Sequence, residues 1–176
     1  SNTELFVKPI AENGGKGAGY FTYQKNISLP NEMIFQEKAV NHPDIIRISG
    51  SHALNTVRII TYIDKTGNFN VLSAIIRLSK GKQVDNWGMG SINVKIDFKT
   101  GCLEGQGITK YREYYLKHPD GVVPFDGFQL PHWNIFMNTL EKAAKAFSSL
   151  RLIAWDIGIT ESGPVYVEAN AGCDMF

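Results

Sequence analysis

The sequence has few cysteines, no long apolar run and almost no excess of charge of either sign. Only Cys102 and Cys173 occur among its 176 residues, and they lack the paired spacing of a zinc site or a disulfide framework. No apolar stretch approaches the ~20 residues of a membrane span, and no charged region leads into an apolar one as in a secretory signal. The net charge of +1 gives no electrostatic reason to expect binding to nucleic acid or to an anionic membrane surface. We therefore expect a soluble protein of the reducing cytoplasm, with neither nucleic acid nor membrane as a partner.

Short β-rich segments, bounded by turn residues, make up most of the chain. Hydrophobic residues account for 43% of the sequence and charged residues for 20%, which suits one well-packed domain or two small lobes. Only the segment 130–150 has apolar residues at helical spacing, with Pro131 placed for the first turn. The apolar positions of this predicted helix are Trp133, Phe136, Met137, Leu140, Ala144 and Phe147. The pattern predicts an α+β fold of mostly antiparallel sheets with few helices.

The C-terminal segment "RLIAWDIGITESGPVYVEAN" predicts a β-hairpin that contains two acids. A three-residue loop over 161–163, with Gly163 in the left-handed conformation, pairs Asp156 with Glu168 and places Asn170 on the same face. Opposed residues have Cβ atoms about 4.5–5.5 Å apart, so the two carboxylates repel each other. A raised pKa of one carboxyl, a nearby Arg or Lys, or a divalent cation would offset this repulsion. The all-oxygen set suits Mg²⁺, and a salt bridge to Arg or Lys is the structural alternative.

Two arginines interrupt strongly apolar segments upstream of this hairpin. Arg58 lies in "LNTVRIIT" and Arg77 in "AIIRLSK". An arginine in such a run usually faces solvent on the polar side of a sheet. If the two segments pair around "DKTGN", however, Arg58 lies opposite Arg77, and two converging guanidinium groups make an anion site.

A lysine on the first predicted strand precedes a glycine-rich loop. Lys8 in "FVKP" and the loop "NGGKGAG" together could cradle phosphates, because glycine lets backbone amides approach closely. The alternative is a mobile hairpin loop with two solvated lysines. Further along, "IFQEKAV" is typical of a half-buried strand, and Asn86 in "VDNWGMGS" is typical of a turn cap.

The four histidines show no metal-ligand spacing. The tripeptide "HPD" occurs twice, at His42 and at His118, with flanks that look β-like or loop-like. We expect capping or loop roles for these histidines.

Taken together and in this order, these motifs resemble an ATP-grasp domain, most closely the sugar-transfer-associated ATP-grasp family linked with polysaccharide biosynthesis. The resemblance runs from "LFVKP" to "VEAN". It implies that the first-strand lysine contacts the nucleotide phosphates, that the glycine-rich flap closes over them and that the strand "QEKAV" binds adenine. The residues it assigns to ATP are Lys8, Gly14, Gly15, Lys16, Gly17, Gln36, Glu37, Lys38 and Val40. The residues it assigns to catalysis are Arg58, Arg77 and Asn86, and those it assigns to Mg²⁺ are Asp156, Glu168 and Asn170.

The resemblance also implies an organisation and an activity. One ATP-grasp domain would comprise a small nucleotide-binding lobe over residues 4–40 and a larger lobe, with the arginines and the metal-binding hairpin, over residues 41–176. The N-terminal lobe that usually precedes the first lysine is expected to be missing, so the isolated chain should consume little ATP. The implied activity is that of an ATP- and Mg²⁺-dependent carboxylate ligase, which acts through an acyl phosphate in polysaccharide or sugar-transfer biosynthesis. The alternative is a catalytically silent nucleotide-binding or assembly module of a larger polysaccharide-synthesis protein.

Overall fold

The computed structural model describes residues 3–10, 17–23, 32–80 and 90–172. In it the chain divides into two compact units, Ser1–Ala39 and Val40–Phe176. Both units are built on antiparallel sheets, and the second unit contains two helices within the described ranges. The predicted α+β class with few helices is confirmed.

The first unit is a three-stranded sheet made of β1 (Thr3–Pro9), β2 (Gly19–Tyr23) and β3 (Met33–Glu37). The strand order is β2-β1-β3, and both pairings are antiparallel. Aromatic rings meet edge to face across it, with Phe6 and Tyr20 centroids 5.8 Å apart and Phe21 and Phe35 centroids 6.0 Å apart. Among the residues of this unit that the structure describes, none is fully buried.

The second unit is built on a seven-stranded antiparallel sheet of order β10-β9-β4-β5-β6-β7-β8. Its strands are β4 (Thr56–Ile63), β5 (Phe69–Leu78), β6 (Ile92–Ile96), β7 (Leu103–Ile108), β8 (Tyr114–Tyr115), β9 (Leu152–Thr160) and β10 (Gly163–Asn170). Strand β9 therefore lies between β10 and β4, although β4 and β9 are far apart in the sequence. The short strand β8 was not predicted, because two residues are too few to show a period.

A short helix, α1 (Pro43–Ser49), begins at the first "HPD" tripeptide, which corrects the prediction of β-like or loop-like flanks. His42 caps this helix, since its Nδ1 accepts a hydrogen bond from the Asp44 N–H at 3.1 Å. Pro43 occupies the first turn, and Gly50 ends the helix in the left-handed conformation with φ 62°. His118 accepts the equivalent bond from the Asp120 N–H at 3.2 Å. The predicted capping and loop roles are thus confirmed for both histidines.

The predicted helix is present as α2 (Trp133–Ala146), and it is shorter at both ends than the segment 130–150. Pro131 precedes the N-cap His132, so it lies outside the first turn where it was expected. Phe147 is the C-cap and is half exposed, whereas it was predicted on the apolar face. The buried side chains of α2 are Trp133, Phe136, Leu140 and Ala144.

The core lies on one face of the seven-stranded sheet, where α2 packs against β4, β5 and β10. Alternate residues of the central strands point into this core, as Val57 and Ile59 do on β4 and as Trp155 and Ile157 do on β9. The residues between them therefore point to the opposite face of the sheet. That opposite face carries the predicted arginines and Asp156.

Candidate functional site

Charged side chains from three adjacent strands form a row on the face of the sheet opposite the core. Asp156 on β9 pairs with Glu168 on β10 and, on its other side, with Arg58 on β4. The predicted pairing of Asp156 with Glu168 is confirmed. Asn170 pairs with Ala154, one period further along the same face. Asp156 is therefore a neighbour of an arginine that lies 98 positions away in the sequence.

The Asp156 carboxylate is almost fully buried and is bound by two guanidinium groups. Arg58 donates from Nε to Oδ1 and from Nη2 to Oδ2, both at 2.7 Å, in a bidentate arrangement. Arg77 approaches Oδ1 through Nη2 at 2.9 Å. Side-chain exposure is 6% for Asp156, 13% for Arg77 and 26% for Arg58. The arginines therefore offset the repulsion between Asp156 and Glu168 in this structure.

Arg77 is held by a threonine that the sequence analysis did not single out. Thr56 Oγ1 accepts hydrogen bonds from Arg77 Nη2 at 2.7 Å and from Nε at 3.2 Å. Thr56 lies directly opposite Arg77 in the β4–β5 pair, whereas Arg58 lies opposite Ile75. The predicted register, with Arg58 opposite Arg77, was wrong by two residues. Because side chains alternate with a period of two, that shift keeps both arginines on one face.

The hairpin that carries the acids turns more tightly than predicted. Thr160 pairs with Gly163, so only two residues form the loop, and Gly163 is the first residue of β10 with φ 119°. An irregularity between Tyr166 and Glu168 inserts one extra residue into β10. This bulge restores the pairing that a three-residue loop would have produced.

The set Asp156, Glu168 and Asn170 fits a divalent cation in its chemistry. All three offer oxygen ligands from neighbouring positions on adjacent strands, and Mg²⁺ prefers carboxylate and carbonyl oxygens. Glu168 is exposed and Asn170 is half buried, so both can reach a ligand at the surface. Over the described ranges, His, Cys, Asp and Glu residues form no group of three or more that could hold a metal. A metal site here therefore needs the Asn170 amide as a ligand. To bind the metal, Asp156 must also give up a hydrogen bond from an arginine.

The residues assigned to ATP in the first unit lie partly on one face of its sheet. Lys8 pairs with Ile34 and Gln36 pairs with Phe6, which places Lys8 and Gln36 on the same side. Glu37 pairs with Leu5 and points to the other side. Gly17 has φ 70°, a conformation that favours glycine. Gly14, Gly15, Lys16 and Asn86 lie outside the described residues.

Lys38 follows β3 and is engaged within the first unit. Its Nζ lies 2.6 Å from Glu4 Oε2 and 4.9 Å from the centroid of the Tyr20 ring. The hydrogen bond to Glu4 raises the pKa of Lys38 above its ordinary value, which keeps the ammonium charged. Val40, the last residue of the predicted hinge, is exposed and belongs to the second unit.

Asn93 on β6 is a polar neighbour of the site that sequence reasoning missed. It lies directly opposite Arg77 in the β5–β6 pair, and its Oδ1 is buried without a hydrogen-bond partner among the described residues. The signal in the sequence was its place between two apolar residues, Ile92 and Val94, which predicts that Asn93 points away from the core. In the structure both neighbours are buried, and Asn93 lies on the same face as Arg77. Two histidines also meet unexpectedly, since the rings of His42 and His132 lie 5.3 Å apart.

The mostly antiparallel sheets and the two helices of the described residues are consistent with an ATP-grasp-like α+β fold. The family described as sugar-transfer associated ATP-grasp matches residues 18–176, and the chain belongs to this family. No curated protein and no solved structure gives a significant match. The family match includes the arginines and the hairpin acids but begins after Lys8 and the Gly14–Gly17 segment. None of the helices in the described ranges is long and apolar enough to cross a membrane.

Proposed function

We propose that this chain is the catalytic ATP-grasp part of an ATP- and Mg²⁺-dependent carboxylate ligase that serves sugar-transfer or polysaccharide biosynthesis. A carboxylate oxygen of the substrate bonds to the γ-phosphorus of ATP, and the bond from that phosphorus to the β,γ-bridging oxygen breaks, which releases ADP. An amine or similar nucleophile then attacks the acyl carbon, and inorganic phosphate leaves. The partners are ATP and a small-molecule carboxylate.

One observation carries the proposal: in a chain of an ATP-grasp family, Arg58 and Arg77 converge on Asp156 beside Glu168. Two guanidinium groups on one face match the oxygens of a phosphate, because each presents a planar fork of N–H donors. Positioning and charge stabilisation dominate phosphoryl transfer, so such a cluster is what the reaction needs.

We assign the individual residues the roles that the family resemblance implies. Arg58 and Arg77 leave Asp156 and stabilise negative charge on the transferred phosphoryl group, with Asn86 as a third catalytic residue. Mg²⁺, when held by Asp156, Glu168 and Asn170, supplies positive charge at the phosphate oxygens. The ATP contacts inferred from the family resemblance are Lys8, Gly14, Gly15, Lys16, Gly17, Gln36, Glu37, Lys38 and Val40.

A second candidate is a nucleotide-binding or assembly module without turnover. Both oxygens of Asp156 are already engaged by guanidinium groups, and a carboxylate so neutralised is a weaker metal ligand. In this case nucleotide binds, and ADP is not released in the presence of any candidate carboxylate. Measuring ADP release from the full-length protein distinguishes the two candidates.

The sharpest test of the proposal is Glu168→Gln, which keeps the side-chain shape and removes one charge. We expect unchanged or slightly raised stability without ligand, because the exposed Glu168 opposes Asp156. We also expect loss of the Mg²⁺-dependent part of the ATP affinity, at least about tenfold, as measured by calorimetry with and without Mg²⁺.

The matched control is Glu161→Gln, which removes an exposed carboxylate from the turn of the same hairpin. It should change neither the stability nor the ATP affinity. A clear fall in ligand-free stability of Glu168→Gln, with Mg²⁺-dependent ATP binding intact, would show that the acids are part of the scaffold and would overturn the metal assignment.

A further inference from the structure

A buried polar network, centred on Asn55, closes the connection between α1 and β4. Asn55 is 2% exposed, and its backbone N–H donates to Asn41 Oδ1 at 2.9 Å. Its side-chain Nδ2 donates to Ser49 Oγ and to the Ala53 carbonyl, both at 3.1 Å. Its Oδ1 accepts from the Ser79 N–H at 2.8 Å. Both polar atoms of the amide are therefore used, one toward the end of α1 and the other toward the end of β5.

The bond to Ser79 closes the β4–β5 pair next to the arginine cluster. Asn55 directly precedes Thr56, and Ser79 lies two residues after Arg77. Thr56 and Arg77 are themselves opposed in the register and joined by two hydrogen bonds. The Asn55 amide thus ties together the two chain segments that carry the Thr56 hydroxyl and the Arg77 guanidinium.

The network also has a purely structural part, which provides a comparison. Asn41 is 3% exposed and holds the same connection through Ala53, to whose carbonyl its Nδ2 donates at 2.6 Å. Within the described ranges, the hydrogen bonds of the Asn41 side chain go to Ala53 and Asn55, and none goes to β5. Removing either amide leaves buried groups unsatisfied and destabilises the unit. Of the two side-chain amides, that of Asn55 is the one bonded to the end of β5, through the Ser79 N–H.

We propose that Asn55 is a positioning residue of the candidate site, which holds Arg77 over Asp156 by tying the start of β4 to the end of β5. This inference rests on the proposed function, since the purpose of the positioned guanidinium is to meet a phosphate. Without the Asn55 amide, the end of β5 separates from β4, and Arg77 loses its fixed orientation on Thr56. A misplaced guanidinium then weakens binding of the nucleotide more than it weakens the fold.

The test compares Asn55→Ala with Asn41→Ala in two measurements. The first, without ligand, is the NMR signal of each arginine Nε–H, which is protected when hydrogen-bonded. Asn55→Ala should shift or lose the Arg77 signal and leave the Arg58 signal in place, while Asn41→Ala should leave both. The second is the dissociation constant of Mg²⁺-ATP, which should rise about tenfold in Asn55→Ala and by less than about twofold in Asn41→Ala.

The conservative variant Asn55→Asp keeps an acceptor for the Ser79 N–H and should retain the Arg77 signal. If Asn55→Ala does not fold, Ser79→Pro removes the donated N–H, and Ser79→Ala keeps it as the control. An unchanged Arg77 signal with unchanged affinity in Asn55→Ala, or equal effects of Asn55→Ala and Asn41→Ala, overturns the inference. A wild-type protein that does not bind Mg²⁺-ATP overturns the proposed function instead, and the ligand-free NMR comparison still decides whether Asn55 orients Arg77.

Discussion

The two units of the chain differ in how they hold their charged residues. In the second unit, Asp156, Arg58 and Arg77 are mostly buried above a sheet whose other face packs into a large core. In the first unit, Lys38 and Glu4 form an exposed pair on a three-stranded sheet with no fully buried residue among those described. Ion pairs of similar length, 2.6 Å in the first unit and 2.7 and 2.9 Å in the second, therefore have different consequences in the two units.

This difference concerns function as well as stability. A guanidinium held by the hydroxyl of a neighbouring strand, as Arg77 is by Thr56, is already oriented before a ligand arrives, even though it must leave its carboxylate, so less conformational entropy is lost on binding. Lys38, by contrast, is exposed and held by a surface ion pair, so its side chain must be ordered when a ligand binds. We therefore expect the second unit to define the geometry of phosphate recognition, and the first unit to adjust affinity.

The largest expected effect comes from breaking the buried cluster. Asp156→Asn keeps the side-chain shape but leaves two guanidinium groups without their counter-charge, which should lower the free energy of unfolding by about 2–4 kcal/mol. Urea denaturation measures this loss. Glu4→Gln, which breaks the exposed pair of the first unit, should give no measurable loss. Equal losses in the two variants would contradict the difference drawn between the units.

A smaller effect on stability is expected from pH. It should concern the second unit, because all four histidines belong to it. His118 is wholly buried, and burial lowers its pKa below the ordinary 6.5; Lys80 adds to this shift, while Asp120 and the Ser79 backbone oppose it. As the pH falls through 6.5, His118 thus binds a proton in the unfolded chain, while in the folded chain it stays neutral until a lower pH. The contribution of neutral His118 to the free energy of unfolding should be fully present above pH 6.5, and it should decrease as the pH drops below 6.5.

Urea denaturation between pH 5 and 8 measures this dependence. His118→Asn removes the titrating group but keeps an acceptor for the Asp120 N–H, so it should flatten the profile. His52→Asn changes an exposed histidine and should leave the profile as in the wild type. A wild-type profile that stays flat through pH 6.5 would show that protonation of His118 is not linked to unfolding.

Local patterns in the sequence predicted the elements of the second unit well. The alternation along the last two strands, together with the glycine of their turn, was enough to pair Asp156 with Glu168, even though the extra residue lies in β10 and not in the loop. The helix α1 was missed because seven residues are too few to show a 3.6-residue period. Its cap, its proline and its terminal glycine were present in the sequence as signals.

The contacts that define the candidate site could not be read from the sequence. Arg58 reaches Asp156 only because β4 pairs with β9, and no local pattern encodes a pairing between residues 98 positions apart. The register of Arg77 was wrong because the turn of the β4–β5 pair lies earlier in the chain than predicted, with Ile63 opposite Phe69; the bulge between Ile60 and Thr61 moves the pairing by one residue and leaves an error of two.

The smallest expected effect concerns the exposed pair in the first unit and tests whether Lys38 meets the nucleotide. Glu4→Gln frees the Lys38 ammonium from a carboxylate at 2.6 Å, so ATP affinity should rise by roughly twofold to threefold at low salt, and this gain should vanish at high salt. Glu141→Gln is the matched control, because Glu141 forms an equally short exposed pair with Lys145 in the second unit. Calorimetry at two salt concentrations measures both variants. If Glu4→Gln binds ATP no better than Glu141→Gln at low salt, Lys38 does not meet the nucleotide, and its ion pair belongs to the surface of the first unit alone.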